Sequence, residues 1–125
     1  MIEMPKIIHF DLEAKDVSRA MKFYQNTFDW KFQKWDDPMD YWLIEAGKEE
    51  EPGIGGGLSK SEGSVPSMIN TIGVDSLDDT IEKIKRNGGN IVNPKHVVPG
   101  VGYMATFEDT EGNQFGVMQE DESAK

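Results

Sequence analysis

The chain contains no cysteine and is short of basic residues. Its 125 residues include 13 Lys and Arg against 23 Asp and Glu, for a formal net charge of -10. Without cysteine there is no disulfide framework, no thiolate nucleophile and no cysteine zinc site. The acidic excess repels phosphate backbones, so the composition disfavours nucleic acid as a partner.

Long apolar runs are also missing. The N-terminus has no apolar signal core, and no stretch reaches the length needed to span a membrane. What is present is 37% hydrophobic and 10% aromatic residues, which suits a packed core. We therefore predict an acidic, cytoplasmic protein that forms a single domain over residues 1–125 and has no membrane partner.

The second half of the chain repeats the first with a shift of 60 residues. Residues 9–17 align with residues 69–77, and the register continues so that Tyr24 aligns with Ile84. A repeat of this kind indicates two copies of one supersecondary unit that face a common cleft. The predicted modules span about residues 5–60 and 66–120.

Both halves show the same order of predicted elements: strand, helix, strand, strand, strand. Residues 6–13 alternate between apolar and polar, which is typical of a half-buried strand. Asp16 has the character of a helix N-cap, and Gly88-Gly89 ends the second helix. A turn around Asp36-Asp37-Pro38 separates two strands of the first half.

One face of the first strand carries the candidate binding residues. The apolar even positions from 8 to 12 must be covered by the helix, so the odd positions line a concavity on the other face. Those positions hold His9, Asp11 and Glu13, and the 60-residue register brings Thr71 to the same concavity. We predict that these four residues contact a small-molecule ligand, because clefts of this kind commonly hold one.

Several segments carry a family resemblance. They are His9-Phe10-Asp11, Asp16 with residues 18–24, Gly88-Gly89, residues 99–105, and above all residues 109–119. The chain resembles the glyoxalase / bleomycin-resistance / extradiol-dioxygenase superfamily, also called the vicinal oxygen chelate family. The resemblance implies an α+β fold, with two paired βαβββ modules that form an open, curved mixed sheet around a cleft. It also implies a homodimer.

The resemblance further implies four positions for metal ligands, two in each module. They fall on His9, Gly57, Ile69 and Gly116 in this chain. Only His9 can coordinate a cation, whereas a catalytic metal needs about three protein ligands. We therefore predict no metal and no cofactor. A divalent metal held by ligands that this alignment misplaces is the alternative.

Trp42 and Tyr103 are the two aromatic residues that we predict to line the ligand pocket. Tyr41 and Trp42 are adjacent on a strand and must face opposite ways, so one belongs to the core and the other to the cleft. We assign Trp42 to the ligand. Tyr103 follows Gly102 in the run that resembles the family, and we expect it to face the cleft.

The remaining polar candidates have two interpretations each. His9 is either a catalytic acid/base and ligand anchor or a hydrogen-bonded structural residue, and Asp11 and Glu13 either orient it or form a salt-linked strand edge. His96 is interpreted as a solvated loop histidine. The glycines of residues 53–57 lack the Lys-Ser/Thr ending of a phosphate loop and indicate a close approach of another group.

The sequence thus predicts a glyoxalase-like protein that binds a small organic molecule in a cleft without a catalytic metal. The alternative is a metal-dependent or acid/base lyase, isomerase or dioxygenase of the glyoxalase type. A third interpretation is a structural or regulatory subunit whose cleft is filled by side chains.

Overall fold

The computed structural model of the chain describes residues 5–35, 40–48, 50, 52–63 and 67–125. The strands are β1 (Lys6–Ala14), β2 (Lys31–Lys34), β3 (Tyr41–Glu45), β4 (Gly56–Lys60), β5 (Met68–Gly73), β6 (Asn90–Val98), β7 (Gly102–Glu108) and β8 (Gln114–Glu120), and the helices are α1 (Val17–Phe28) and α2 (Leu77–Arg86). The order strand, helix, strand, strand, strand therefore occurs twice, and the predicted α+β class is confirmed. The turn predicted around Asp36-Asp37-Pro38 lies outside the described residues.

The strands of each half follow the same order. In the compact unit His9–Ile69 the order is β2-β3-β4-β1, and in the unit that contains Asn70–Lys125 it is β5-β8-β7-β6. The pairs β1–β4 and β5–β8 are parallel, and the pairs β2–β3, β3–β4, β6–β7 and β7–β8 are antiparallel. Each half is thus a mixed sheet with its first strand beside its fourth.

Helix α1 covers one face of the first sheet. The side chain of Asp16 accepts a hydrogen bond from the backbone N–H of Arg19 at 3.0 Å and so caps the helix as predicted. The ring of Tyr24 stacks on Trp30 at 4.9 Å between centroids, and Trp30 packs against Phe10 at 6.1 Å. The face with Phe10 is therefore the apolar face, which leaves the odd positions of β1 on the other side.

Helix α2 is stabilised at both ends and along one side. Ser76 caps it by accepting from the backbone N–H of Asp79 at 3.2 Å. Acidic residues occupy its first turn and basic residues its last, which complements the helix dipole. Leu77 is fully buried in a core with Val74, Ala105 and Val117. This core occupies the α2 face of the second sheet.

The helices in the described part of the chain are too short or too polar to cross a membrane.

Candidate functional site

Three polar side chains of the first half meet on the sheet face opposite α1. The hydroxyl of Tyr41 lies 2.5 Å from Oδ1 of Asp11 and 2.9 Å from Nε2 of His9. The His9 Nε2 also lies 3.3 Å from the same carboxylate oxygen. The imidazole is 31% exposed and the carboxylate 27%, so the cluster is half-buried and reachable from solvent. We call these three residues the polar triad.

The strand pairing of the first sheet builds the triad. The two-residue period of β1 puts His9 and Asp11 on one face. The parallel pairing of β1 with β4 places Gly57 opposite Asp11, and the antiparallel pairing of β3 places Leu43 opposite Gly57. Tyr41 lies two residues before Leu43 on the same face, so its ring can lean across β4 toward β1.

Gly57 makes the room that Tyr41 needs. A Cβ atom at position 57 would overlap the hydroxyl and the ring edge of Tyr41. No side chain other than hydrogen fits there while Tyr41 keeps its place. The glycine run was predicted to permit a close approach, and at position 57 the approaching group is the phenol of this chain.

The chemistry of the three groups sets the direction of their hydrogen bonds. The Asp11 carboxylate is an acceptor only, so the Tyr41 hydroxyl donates its hydrogen to Oδ1. The Tyr41 oxygen can then only accept from Nε2 of His9, which must carry the ring hydrogen in the neutral imidazole. Burial raises the pKa of Tyr41, and the hydrogen bond to Asp11 and the charge of that carboxylate raise it further. The phenol therefore stays a neutral donor.

Glu13 follows on the same strand face but has other partners. Its Oε1 accepts from the hydroxyl of Ser67 at 2.9 Å and from the backbone N–H of Ser67 at 3.2 Å. The carboxylate thus links the end of β1 to Ser67, the residue that precedes β5. It lies beside the triad without a hydrogen bond to it.

Thr71 lies on the face of the second sheet that is turned away from the α2 core. It pairs with Gly116 and is 1% exposed. Its Oγ1 is buried and has no hydrogen-bond partner among the described residues. A Cβ atom at Gly116 would lie 2.8 Å from this oxygen and 3.0 Å from Cε of Met104. As at Gly57, a side chain of a neighbouring strand takes the space beside a glycine.

Two predicted orientations are wrong. Trp42 pairs with Leu58, which is buried on the α1 face, so the residue on the His9 face is its neighbour Tyr41. Tyr103 packs against the core of Val74 and Leu77, and Nζ of Lys95 lies 5.1 Å above its ring. Both corrections have one cause: a strand places alternate residues on alternate faces, and the register of pairing decides which set faces the helix.

His96 is exposed as predicted but not in a loop. It belongs to β6, where the pairing with β7 shifts register on either side of Asn93. Its Nδ1 lies 3.1 Å from the carbonyl oxygen of Pro94. His96 belongs to the compact unit that contains Asn70–Lys125, whereas the triad belongs to the unit His9–Ile69.

The four positions that the family resemblance assigns to a metal do not fit one. The place of a side chain at Gly57 is taken by Tyr41, and the place at Gly116 is bounded by Thr71 and Met104. Ile69 has no donor atom, and the Nε2 of His9 is turned to Tyr41 and Asp11. In the described ranges no three His, Asp or Glu side chains are grouped as a cation would require.

The repeated βαβββ unit and its strand order define the class of this protein. The family model of the Glyoxalase/Bleomycin resistance protein/Dioxygenase superfamily matches residues 6–117. The chain therefore belongs to this superfamily.

Similar proteins fall in the same superfamily. A glyoxylase-like domain-containing protein of Didymella fabae is 33% identical, with 94% of this chain and 95% of that protein covered. A lactoylglutathione lyase of Haemophilus influenzae is 26% identical over 86% of this chain and 87% of the lyase. Two mycobacterial relatives are matched over 43% of their length, so a stretch like this chain forms less than half of each.

Solved structures support the fold. A methylmalonyl-CoA epimerase from Mycobacterium tuberculosis superposes with a TM-score of 0.72 at 12% identity, and the match covers 97% of this chain and 93% of the epimerase. At this identity the likeness shows the fold alone, so the activity must be argued from the triad.

Tyr41 is the site residue that sequence reasoning missed. The sequence analysis assigns Trp42 to the ligand, and strand alternation then puts Tyr41 on the other face. One signal points to Tyr41: Gly57 has no side chain, and a glycine inside a strand indicates that another group approaches closely.

Proposed function

We propose that this protein binds a small organic molecule at the polar triad and does so without a catalytic metal. The observation that supports this most directly is the Tyr41 hydroxyl beside Gly57, where metal-dependent members of the family would have a carboxylate ligand. The triad keeps the first-strand histidine and surrounds it with hydrogen-bond partners in place of a cation.

The surroundings of the triad suit a ligand. The side chains of His9 and Asp11 are 31% and 27% exposed, so they are ordered by their neighbours and still reachable. They lie on a sheet face, with the packing of α1 directed to the opposite face. Concave surfaces with a few convergent polar groups are the usual places where small molecules bind.

Metal analysis tests the metal-free half of the proposal. We expect purified protein to contain less than stoichiometric Ni, Zn and Mn, and we expect added salts of these metals to raise the melting temperature of the wild type no more than that of His9→Ala. A metal at 1,000 times its Kd would stabilise the fold by about 4 kcal/mol, so binding would be evident. A stoichiometric metal whose stabilisation disappears in His9→Ala would overturn the proposal.

A thermal-shift screen of small polar molecules, followed by native mass spectrometry, tests the binding half. We expect at least one compound to stabilise the wild type and to lose its effect in Tyr41→Phe and Asp11→Asn. His96→Gln is the matched control, because His96 is the other histidine of the chain and is exposed on β6. A compound that stabilises all variants equally binds elsewhere and counts against the triad.

An acid/base enzyme of the glyoxalase type is the second candidate. It is favoured by the contact of His9 with Asp11 and by the relative that is a lactoylglutathione lyase. The assay is turnover of methylglyoxal with glutathione, with and without added metals. Activity that is lost in His9→Ala and kept in His96→Gln would favour the enzyme over the binding protein.

Assembly as a homodimer and a cytoplasmic location also belong to this proposal. Light scattering coupled to size-exclusion chromatography would show twice the mass of 14.0 kDa if the chain pairs with itself.

A further inference from the structure

We propose that Tyr41 is a positioning residue that acts with Asp11 to fix His9 as an Nε2–H donor and so turns the triad into an acceptor site for a ligand group that donates hydrogen bonds, such as a protonated amine. This proposal rests on the proposed function, since it names the ligand chemistry of the same site.

All donors of the triad are used within it. The Tyr41 hydroxyl has one hydrogen, and it points to Oδ1 of Asp11 at 2.5 Å. The neutral His9 ring has one N–H, and Nε2 lies within hydrogen-bond distance of Tyr41. Asp11 has no hydrogen to donate when ionised. A ligand group that approaches the triad therefore finds no free N–H or O–H.

Acceptor atoms remain free. The hydrogen bonds of Asp11 use Oδ1 only, and those of His9 use Nε2 only, so Oδ2 of Asp11 and Nδ1 of His9 have no partner among the described residues. Both atoms belong to side chains that are about one-third exposed. An ammonium group has three hydrogens to donate and no lone pair, which is the complement of such a surface.

The charge on this sheet face favours a cation as well. Asp11 and Glu13 bring two carboxylates, and the Glu13 carboxylate is held by a neutral serine. Lys31 is the cation that the described strand register places on the same face. It stands opposite Glu45 in the register of β2 and β3, the two strands farthest from β1. A ligand carboxylate would therefore meet repulsion near the triad, where an amine would be attracted.

The position of Tyr41 affects whether the triad accepts hydrogen bonds from a ligand or donates them. If Nε2 of His9 faced neither the phenol nor Oδ1 of Asp11, either ring nitrogen could carry the hydrogen, and the ring could donate to a ligand. The Tyr41 hydroxyl can stand at 2.9 Å from Nε2 because Gly57 has no side chain. Tyr41 thus acts through His9 and Asp11.

Nitrogen NMR of the histidines tests the positioning role directly. The chain has two histidines, so 15N-histidine labelling gives two rings, and His96→Gln assigns them. At about pH 8, where an ordinary imidazole is neutral, we expect His9 to be in the Nε2–H form. Asp11→Ala leaves the Tyr41 hydroxyl free to donate to Nε2, so we expect it to shift His9 toward Nδ1–H, and we expect added Tyr41→Phe to reverse that shift. A wild type in the Nδ1–H form, or an Asp11→Ala variant whose tautomer does not depend on Tyr41, would overturn the assignment.

Titration with two small probes tests the ligand chemistry. Propylammonium and propionate have similar size and opposite charge. We expect propylammonium to move the His9 ring signals with a Kd at least about tenfold lower than that of propionate, and Asp11→Asn to remove the preference. The His96 signals report non-specific effects in the same spectrum.

The outcomes separate the two proposals. If propionate binds as well as propylammonium or better, the acceptor-site assignment is wrong, while small-molecule binding at the triad stands. If neither probe moves His9 and the broader screen also yields no ligand, the proposed function fails with it. The tautomer measurement needs no ligand, so it supports or overturns the role of Tyr41 in either case.

Discussion

The contact between Gly57 and Tyr41 is the smallest feature with a consequence for function. Gly57 is extended backbone in β4 and has no positive φ, so its conformation alone does not require glycine. The requirement comes from the phenol that fills the space of a side chain. One missing Cβ therefore leaves the space in which the Tyr41 hydroxyl meets His9 and Asp11.

The substitution Gly57→Ala should destabilise the protein by about 1–3 kcal/mol, the usual range for overpacking. Since the cost arises from the Tyr41 ring, the same substitution in a Tyr41→Ala background should cost much less. Urea unfolding of the wild type, both single variants and the double variant gives the coupling energy. Additive effects of the two substitutions would contradict the proposed contact.

At the residue scale, Thr71 is the opposite of Tyr41, because the sequence predicted it as a ligand contact. Its buried hydroxyl has no hydrogen-bond partner in the described part of the chain. Thr71 stands opposite Gly116 in the second half, as Asp11 of the triad stands opposite Gly57 in the first half. That Thr71 contacts a ligand stays a prediction.

At the scale of elements, the repeat is most exact at the helix N-termini. Asp16 and Ser76 stand 60 positions apart in the sequence, and each accepts a hydrogen bond from the backbone N–H three residues later. The residues differ while the capping function is the same, because Asp and Ser side chains reach the same donor. The capping residue can therefore be any of the few residue types whose side chains accept this hydrogen bond.

Removal of either cap should lower the free energy of unfolding by about 1 kcal/mol. We expect this for Asp16→Ala and for Ser76→Ala, and we expect the exchanges Asp16→Ser and Ser76→Asp to be nearly neutral. Thermal and urea unfolding measure the differences. Lys15→Ala, which changes an exposed neighbour that is not a cap, is the control. An exchange that costs as much as the alanine substitution would argue against the capping role.

At the scale of the whole molecule, the acidic excess is the dominant property. A formal net charge of -10 over 125 residues means that folding brings like charges together. Added salt screens this repulsion, since the Debye length falls from about 10 Å at 0.1 M to about 3 Å at 1 M.

Raising NaCl from about 20 mM to about 0.5 M should therefore raise the melting temperature, by about 3–5 °C if screening restores about 1 kcal/mol. A variant with Glu62→Gln and Glu122→Gln, two exposed positions, should respond less. Differential scanning calorimetry at constant pH gives both values. A melting temperature that falls with NaCl would show that stabilising ion pairs outweigh the repulsion.

Periodicity, caps and turn residues predicted the described helices and strands, because these signals depend on neighbours in the chain. The exception is the part of β6 around His96, which was predicted as a loop. The repeat and the family resemblance together predicted the superfamily, which the family model confirms. The faces of β3 and β7 were assigned wrongly for Trp42 and Tyr103, since alternation alone does not say which set of residues meets the helix.

The amino-acid sequence by itself therefore determined the elements, their duplication and the shortage of metal ligands at the four family positions. The tertiary structure alone decided that Tyr41 joins His9 and Asp11. Tyr41 is 30 or more positions from the other two residues, and only the pairing of β3, β4 and β1 across a glycine brings it within hydrogen-bond distance of them. The register describes how two strands pair, so the sequence of one strand alone does not determine it.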